Sequence, residues 1–374
     1  MPQMQIDDPQ GALALMRESV EGFASHHSGP AAFRARRAAG GDLTVSLWRA
    51  FAEAGWTGLM LPEELGGLGL GLAEQAVLSE ALGRELIAEP LAMCAVFSSA
   101  LLAEAPASAE RDRLCEGLVS GQTILAVAWR KPLPHTRAAP LHARPGDGGY
   151  RLQGEAHFVD AALSATDLLV VAETPEGAVL LSVPPAGATL ASRAGVDGAA
   201  VSTLSFSGLE VAPSRVLAKA ASLEAMLAKP IACARLALAA ELSGLACRAL
   251  EMTIAYTKDR VQFGKPIASF QVIQHRLVEM WSDAEFACAS VVNAIETAAR
   301  GDAKASELAI LAAKARAGDG AFSICRRAIH LHGAMGITDE SNIGLYLKRA
   351  IALNATLGQP EDLRLQFLAL ERAA

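Results

Sequence analysis

Much that would assign this chain a function at a glance is missing from it. Its six cysteines, Cys94, Cys115, Cys233, Cys247, Cys288 and Cys325, form no C-x-x-C pair and no cluster with histidine. That removes the usual zinc and disulfide signatures. In mostly apolar surroundings they read as small buried hydrophobes, which suits a reducing cytoplasm. The N-terminus, Met1 to Asp8, has neither a basic segment nor an apolar one, so no signal peptide is expected. The longest apolar run, Ile231 to Leu250, is broken by Arg235, Glu241 and Arg248. It is too charged for a bilayer span and reads as a helix buried in protein. A net charge of −7 with no concentrated basic surface argues against nucleic acid. The four tryptophans and nine methionines form no cofactor box.

What is present is a long, apolar, mostly helical chain. At 374 residues, 52% hydrophobic and 20% charged, it predicts two or three domains around a well-buried core. Residues 11–120 read as helical, with apolar residues at three- and four-residue spacing from Ser46 to Ala54 and from Leu72 to Leu86. Between these two stretches, Leu61 to Leu70 is a glycine-rich turn; without a preceding strand or a following lysine it reads as a helix connection, not a phosphate cradle. From 121 to 217 the pattern shifts to short β-type runs, Ile124–Trp129, Tyr150–Val159, Asp167–Ala172 and Val179–Val183. From Ala218 the helical pattern returns, with Pro230 near a helix start.

One string stands out, Arg260-Val261-Gln262-Phe263-Gly264-Lys265-Pro266-Ile267, followed at once by Phe270-Gln271-Val272-Ile273-Gln274-His275. An arginine fork can hold a pyrophosphate bidentately. Gly264 and Pro266 fix a bend that brings backbone close to a ligand.

This string resembles the flavin-binding turn of the acyl-CoA dehydrogenase family, R-x-x-F-G-x-x-I…F-Q. Leu61-Pro62-Glu63-Glu64-Leu65-Gly66-Gly67-Leu68-Gly69 resembles the family's L-P-E-x-x-G-G-x-G segment, and His330-Leu331-His332-Gly333-Ala334-Met335-Gly336 its Q-x-x-G-G-x-G segment. The resemblance implies an α+β fold: a helical N-terminal domain (1–120), a middle β-barrel (121–217) and a C-terminal four-helix bundle with FAD and oligomer contacts (218–374). It also implies FAD as cofactor, bound by Arg260, Gln262, Phe263, Phe270 and Gln271 with His330, His332, Gly333 and Ala334, and an acyl-CoA substrate met by Arg235.

Dehydrogenation of a thioester needs a carboxylate for the α-proton, a flavin to take the β-hydride, and hydrogen bonds to the carbonyl. The family's two base positions fall here on Leu357 and Ala234, neither of which accepts a proton. Glu361 and Asp362 lie just beyond Leu357, but Pro360 intervenes and favours a turn, so they read as solvated. Glu241 reads as a bundle ion pair, with Arg235 as one partner to consider; His275 and His332 read as structural. The family's Thr-Glu-Pro-Gly-Ala-Gly-Ser-Asp segment is replaced by Trp129-Arg130-Lys131-Pro132-Leu133-Pro134-His135-Thr136, and its Trp-Ile-Thr by Phe158-Val159-Asp160. Asp160 places an anion near a ring whose reduced form is anionic, an unfavourable arrangement.

In the family the Arg260 turn reaches a neighbouring subunit's FAD. The chain thus retains the half-site it contributes and departs in the half-site it would use. With Leu357-Gly358-Gln359-Pro360-Glu361-Asp362-Leu363-Arg364 it looks like the small subunits of bacterial heteromeric acyl-CoA dehydrogenases of pimeloyl-CoA and steroid-side-chain type. The expected partners are a larger base-bearing homologue in a heterotetramer, or a second copy, and an electron-transfer flavoprotein. Three alternatives stand beside this reading: a homomeric dehydrogenase with an unusual base, a flavin monooxygenase on the same fold, and a structural partner without flavin.

Overall fold

The structure is a computed structural model that describes residues 1–132, 138–146 and 148–372. The chain runs helical, then β, then helical. Helices α1 (Ala12–His26), α2 (Gly29–Ala39), α3 (Val45–Glu53), α4 (Leu72–Arg84), α5 (Ser98–Glu104) and α6 (Ala109–Val119) precede the sheet. Helices α7 (Leu223–Asp259), α8 (Gln271–Ala299), α9 (Ala303–His332), α10 (Ile343–Ala355) and α11 (Pro360–Arg372) follow it. The chain divides into two compact units, one of Met1–Ala35, Leu72–Ala88 and Arg235–Ala374, the other of Arg36–Gly71 and Glu89–Ala234.

In the first unit α8 and α9 bury one face each, with Met280, Ala284, Ala287, Val291 and Ala294 on α8 at three- and four-residue intervals. Helices α4 and α7 meet backbone to backbone. A Cβ at Gly83 would stand 2.3 Å from the Glu241 carbonyl oxygen, and one at Gly244 only 2.0 Å from that of Glu80. Glycine at these two positions permits the close approach. Glu241 then turns its carboxylate to Arg349, whose Nε donates at 2.8 Å, and both are buried. Among the described residues α7 is the one helix long and apolar enough to cross a membrane, and 83% of its most apolar window is buried inside the protein. It is a core helix by that burial.

The second unit is built on the sheet. Its strands are β1 (Leu125–Ala128), β2 (His142–Gly146), β3 (Gly149–Asp160), β4 (Asp167–Thr174), β5 (Gly177–Val183), β6 (Thr189–Ala194), β7 (Ala200–Val211) and β8 (Val216–Ala220). Alternation in β3 and β7 turns Leu152, Ala156, Leu204 and Phe206 inward, where they join Leu168, Val170, Val179 and Leu181 in one core. Strands β4 and β5 are buried along nearly their whole length and so read as continuous apolar runs.

The expected barrel does not close. The strand order is β6-β7-β3-β2-β4-β5-β8, with β1 parallel to β4, so β6 and β8 are the edges of an open sheet. The β6 sequence gives the reason. All six of its residues are exposed, so it has no inward face to contribute to a barrel interior. The central junction is also thin: β2 meets β4 at a single pair, His142 and Glu173.

Candidate functional site

In the first unit, the Arg260 string forms a hairpin. Strands β9 (Val261–Gln262) and β10 (Lys265–Pro266) pair antiparallel, leaving Phe263 and Gly264 as a two-residue tip. Both have positive φ, 53° and 77°, as a tight hairpin turn of this hand requires. Glycine tolerates that conformation; a phenylalanine there is strained. The Phe263 side chain is 91% exposed, and Arg260, Gln262 and Gln271 are exposed too. Phe270 immediately precedes α8, edge-on to Phe263 at 6.0 Å, with the Lys265 ammonium 4.4 Å over its ring. Among the described residues Arg260 has no ion-pair partner, and the string from 261 to 275 contains no acid. The result is an outward-projecting, cationic, aromatic loop.

The second predicted segment lies at the end of α9. His330 is exposed, His332 is buried, and Gly333 (φ 63°) ends the helix with exposed Ala334 following. The His332 ring stacks on Tyr256 at 4.2 Å and 12°, and the Tyr256 hydroxyl donates to the His332 carbonyl at 3.2 Å. The Arg260 amide in turn donates to the Tyr256 carbonyl at 2.9 Å. Tyr256 therefore ties the two predicted segments together. Sequence reading missed it, although its position one helical turn before Arg260 was a usable signal. The His332 Nε2 is buried without a hydrogen-bond partner, and burial pushes its pKa below the ordinary histidine value.

The two positions where the resemblance would put a base are apolar in structure as in sequence. Ala234 is wholly buried on α7 in the second unit. Leu357, in the first unit, is buried in the link between α10 and α11 with φ 58°. Arg235 does not pair with Glu241, which Arg349 already holds. Its Nε donates to the Leu357 carbonyl at 2.9 Å and its Nη2 to Gln366 Oε1 at 2.9 Å. Burial lowers the Arg235 pKa, with Glu307 opposing. Glu361 and Asp362 sit exposed in the first turn of α11, which Pro360 opens rather than breaks. His275 is exposed on α8.

In the second unit, Arg130 and Asp160 come together, Nη2 to Oδ2 at 4.0 Å. Arg130 also donates to the Phe158 carbonyl at 3.3 Å and lies 5.7 Å from the Trp129 ring centre. Trp129 stacks on Phe97 at 5.9 Å, at the end of the π-helical turn Ala92–Phe97. Phe158 (φ 55°) and Ala161 (φ 55°) flank the site with strained backbone. Asp160, read from sequence as an anion near the ring, thus has a cation at ion-pair distance. Val159 is buried, and Lys131 turns outward to Glu173 at 2.8 Å. Leu133, Pro134, His135 and Thr136 of the same segment lie outside the described residues. A concavity of about 1100 Å³ on the outer face of β2, β3 and β7 is lined by none of the predicted site residues.

Comparison with known proteins agrees along the chain. Residues 12–122 match the acyl-CoA dehydrogenase N-terminal domain and residues 224–368 the acyl-CoA dehydrogenase C-terminal domain. The chain is 31% identical over 363 residues to acyl-CoA dehydrogenase IpdE2 of Mycobacterium tuberculosis, covering 95% of each. It is 28% identical to acyl-CoA dehydrogenase FadE27 of the same organism, covering 83% of this chain and 84% of that one. Among solved structures it resembles the Tcur3481-Tcur3483 steroid ACAD (30% identity, TM-score 0.84, 96% and 97% covered). The ChsE4-ChsE5 complex from Mycobacterium tuberculosis shares the fold at 24% identity, with TM-score 0.88 and 99% and 100% covered.

Proposed function

The chain belongs to the acyl-CoA dehydrogenase family, and on that premise we propose that it is one subunit of a heteromeric enzyme whose catalytic base comes from a larger homologous subunit. It is an oxidoreductase of acyl-CoA dehydrogenase type. Its organisation as helical N-terminal, middle β and C-terminal helical domains (1–120, 121–217, 218–374) belongs to the same proposal.

FAD, when bound, supplies the hydride acceptor. Arg260, free of any intrachain acid among the described residues, fits a pyrophosphate, and no acid in its string opposes one. Gln262 and Gln271 add amide donors, Phe263 and Phe270 add ring faces, and the segment of His330, His332, Gly333 and Ala334 is tied to the loop through Tyr256. We assign them to the half-site contributed to a neighbour, a reading supported by the exposure of Arg260, Gln262, Phe263 and Gln271. Arg235 is assigned to the acyl-CoA. Fitting the flavin ring beside the Arg130–Asp160 pair is harder, since that pair occupies the position with opposed charges.

The observation that carries this reading is the contrast between a complete, exposed Arg260 hairpin and buried Ala234 and Leu357 at the base positions. The relatives support the partner and the substrate class: the structure at 30% identity has two component names and is described as a steroid ACAD. A steroid-side-chain or other bulky acyl-CoA is the substrate proposed, with an electron-transfer flavoprotein as oxidant of the reduced enzyme. Co-expression with a larger homologue carrying the glutamate tests it. FAD and dehydrogenase activity should appear together in the complex and be absent from the lone chain.

A further inference from the structure

Lys314, midway along α9, is fully buried, and among the described residues no acid lies within ion-pair reach of it. Its Nζ donates to the Leu353 carbonyl at 3.0 Å and to the Gly358 carbonyl at 3.4 Å. Leu353 lies in the last turn of α10, and Gly358 lies beyond it in the link to α11. Between these contacts, Arg235 holds the Leu357 carbonyl at 2.9 Å. Asn354 is fixed as well, donating to the Gly318 carbonyl at 3.0 Å. The link is not a relaxed one. Leu357 has φ 58°, a conformation that costs a non-glycine residue free energy and persists only where its surroundings impose it.

We propose that Lys314 and Arg235 clamp the link between α10 and α11 through its carbonyl oxygens, and that the proton on Lys314 sets how readily the link opens. A neutral amine has two N–H donors, matching the two carbonyls it meets. The ammonium form has a third donor and a buried charge, with Arg235 repelling it. The other charged groups around α9 are already engaged: Asp283 with Arg316 and Arg327 against α8, Asp319 with Arg364 against α11, and Glu241 with Arg349 between α7 and α10. Glu307 acts on Arg235. None of them pairs with Lys314.

The sign follows from burial, which with Arg235 lowers the Lys314 pKa from 10.5 to about 7. When the link opens, water reaches the amine and its pKa returns toward the ordinary lysine value. Between pH 7 and the ordinary value the open form binds more protons than the closed one, so opening falls as pH rises. The clamp therefore tightens steadily as the solution is made alkaline from pH 7 toward the ordinary lysine value. This inference rests on the chain's own geometry and stands whether or not a partner supplies the base.

Amide hydrogen exchange on the full-length chain tests it, read at Thr356, whose N–H donates to the Leu353 carbonyl, and corrected for the intrinsic base-catalysed rate. In wild type, protection should be flat below pH 7 and should rise about tenfold per pH unit from pH 7 to 9. Lys314→Met should abolish the rise. Arg235→Gln removes the repulsion and should move its onset to higher pH. Wild-type protection that does not change with pH would overturn the proposal without any variant, as would an unchanged slope in Lys314→Met.

Discussion

Arg235 donates from Nε to the carbonyl oxygen of Leu357 across 122 positions of sequence, at 2.9 Å. The resemblance to the family puts an active-site arginine at the first of these positions and a catalytic carboxylate at the second. In the structure the arginine holds the backbone of a leucine at that second position. A base contributes roughly 10²–10⁴-fold to such a proton transfer, and on the proposed reading the position that would provide it is Leu357, buried in the link between α10 and α11. Restoring a glutamate at 357 alone is not expected to recover dehydrogenation, because Arg130 and Asp160 also alter the ring side of the same chain.

Arg260 gives the most direct test of the contributed half-site. Its charge-assisted contact with a pyrophosphate should be worth about 1.5–3 kcal/mol. Arg260→Ala in the assembled complex should therefore weaken FAD binding by that amount, read as flavin occupancy on dilution, with the fold unaltered because the side chain is exposed. Unchanged occupancy would remove Arg260 from the cofactor site.

Arg130 and Asp160 replace two different family segments, yet they meet each other at 4.0 Å. Burial lowers the Arg130 pKa and Asp160 opposes that shift, so the pair is held together in a poorly solvated place. Asp160→Asn should destabilise the chain by about 1–3 kcal/mol in urea denaturation, the cost of leaving a mostly buried cation without its counter-charge. Arg130→Met made in that background should cost less than Arg130→Met alone. Additive effects of the two changes would mean that they do not interact.

The bend at residues 260–267 was legible because Gly264 and Pro266 are turn signals independent of context, although its pairing as a two-stranded hairpin was not. Four strands of the large sheet were not legible either. β6 is exposed on both faces and has no periodicity to read, and β2 and β8 are five residues each. β7 did alternate, but its inward positions include Ala200 and Ser202, which mute the apolar pattern. Barrel closure failed as an expectation because it depends on the edges, and no local propensity reports how edges meet. Lys314 acts through a partner 39 positions away, a kind of relation that spacing along one helix does not disclose.

His332 makes a pH prediction. Burial disfavours its imidazolium, so its pKa in the folded chain is lower than in the unfolded one, where it protonates near the ordinary value of about 6.5. Below that value the unfolded state binds the extra proton, and stability falls as the solution is acidified. Urea midpoints measured from pH 7 down to pH 5 should decline in wild type and decline less in His332→Phe, which keeps the stack on Tyr256. Equal slopes in the two proteins would show that the histidine is not protonated differently in the two states.

The central claim is that this chain contributes a flavin half-site and lacks a base of its own. The measurement that tests it most directly is anaerobic mixing with a panel of acyl-CoAs, bulky ring-bearing ones included, of the purified lone chain and of the chain co-expressed with a larger glutamate-bearing homologue. The account predicts rapid flavin bleaching in the complex and none in the lone chain. Bleaching of the lone chain at a normal enzymatic rate, lost in Glu361→Gln, would contradict it and place the base in this subunit.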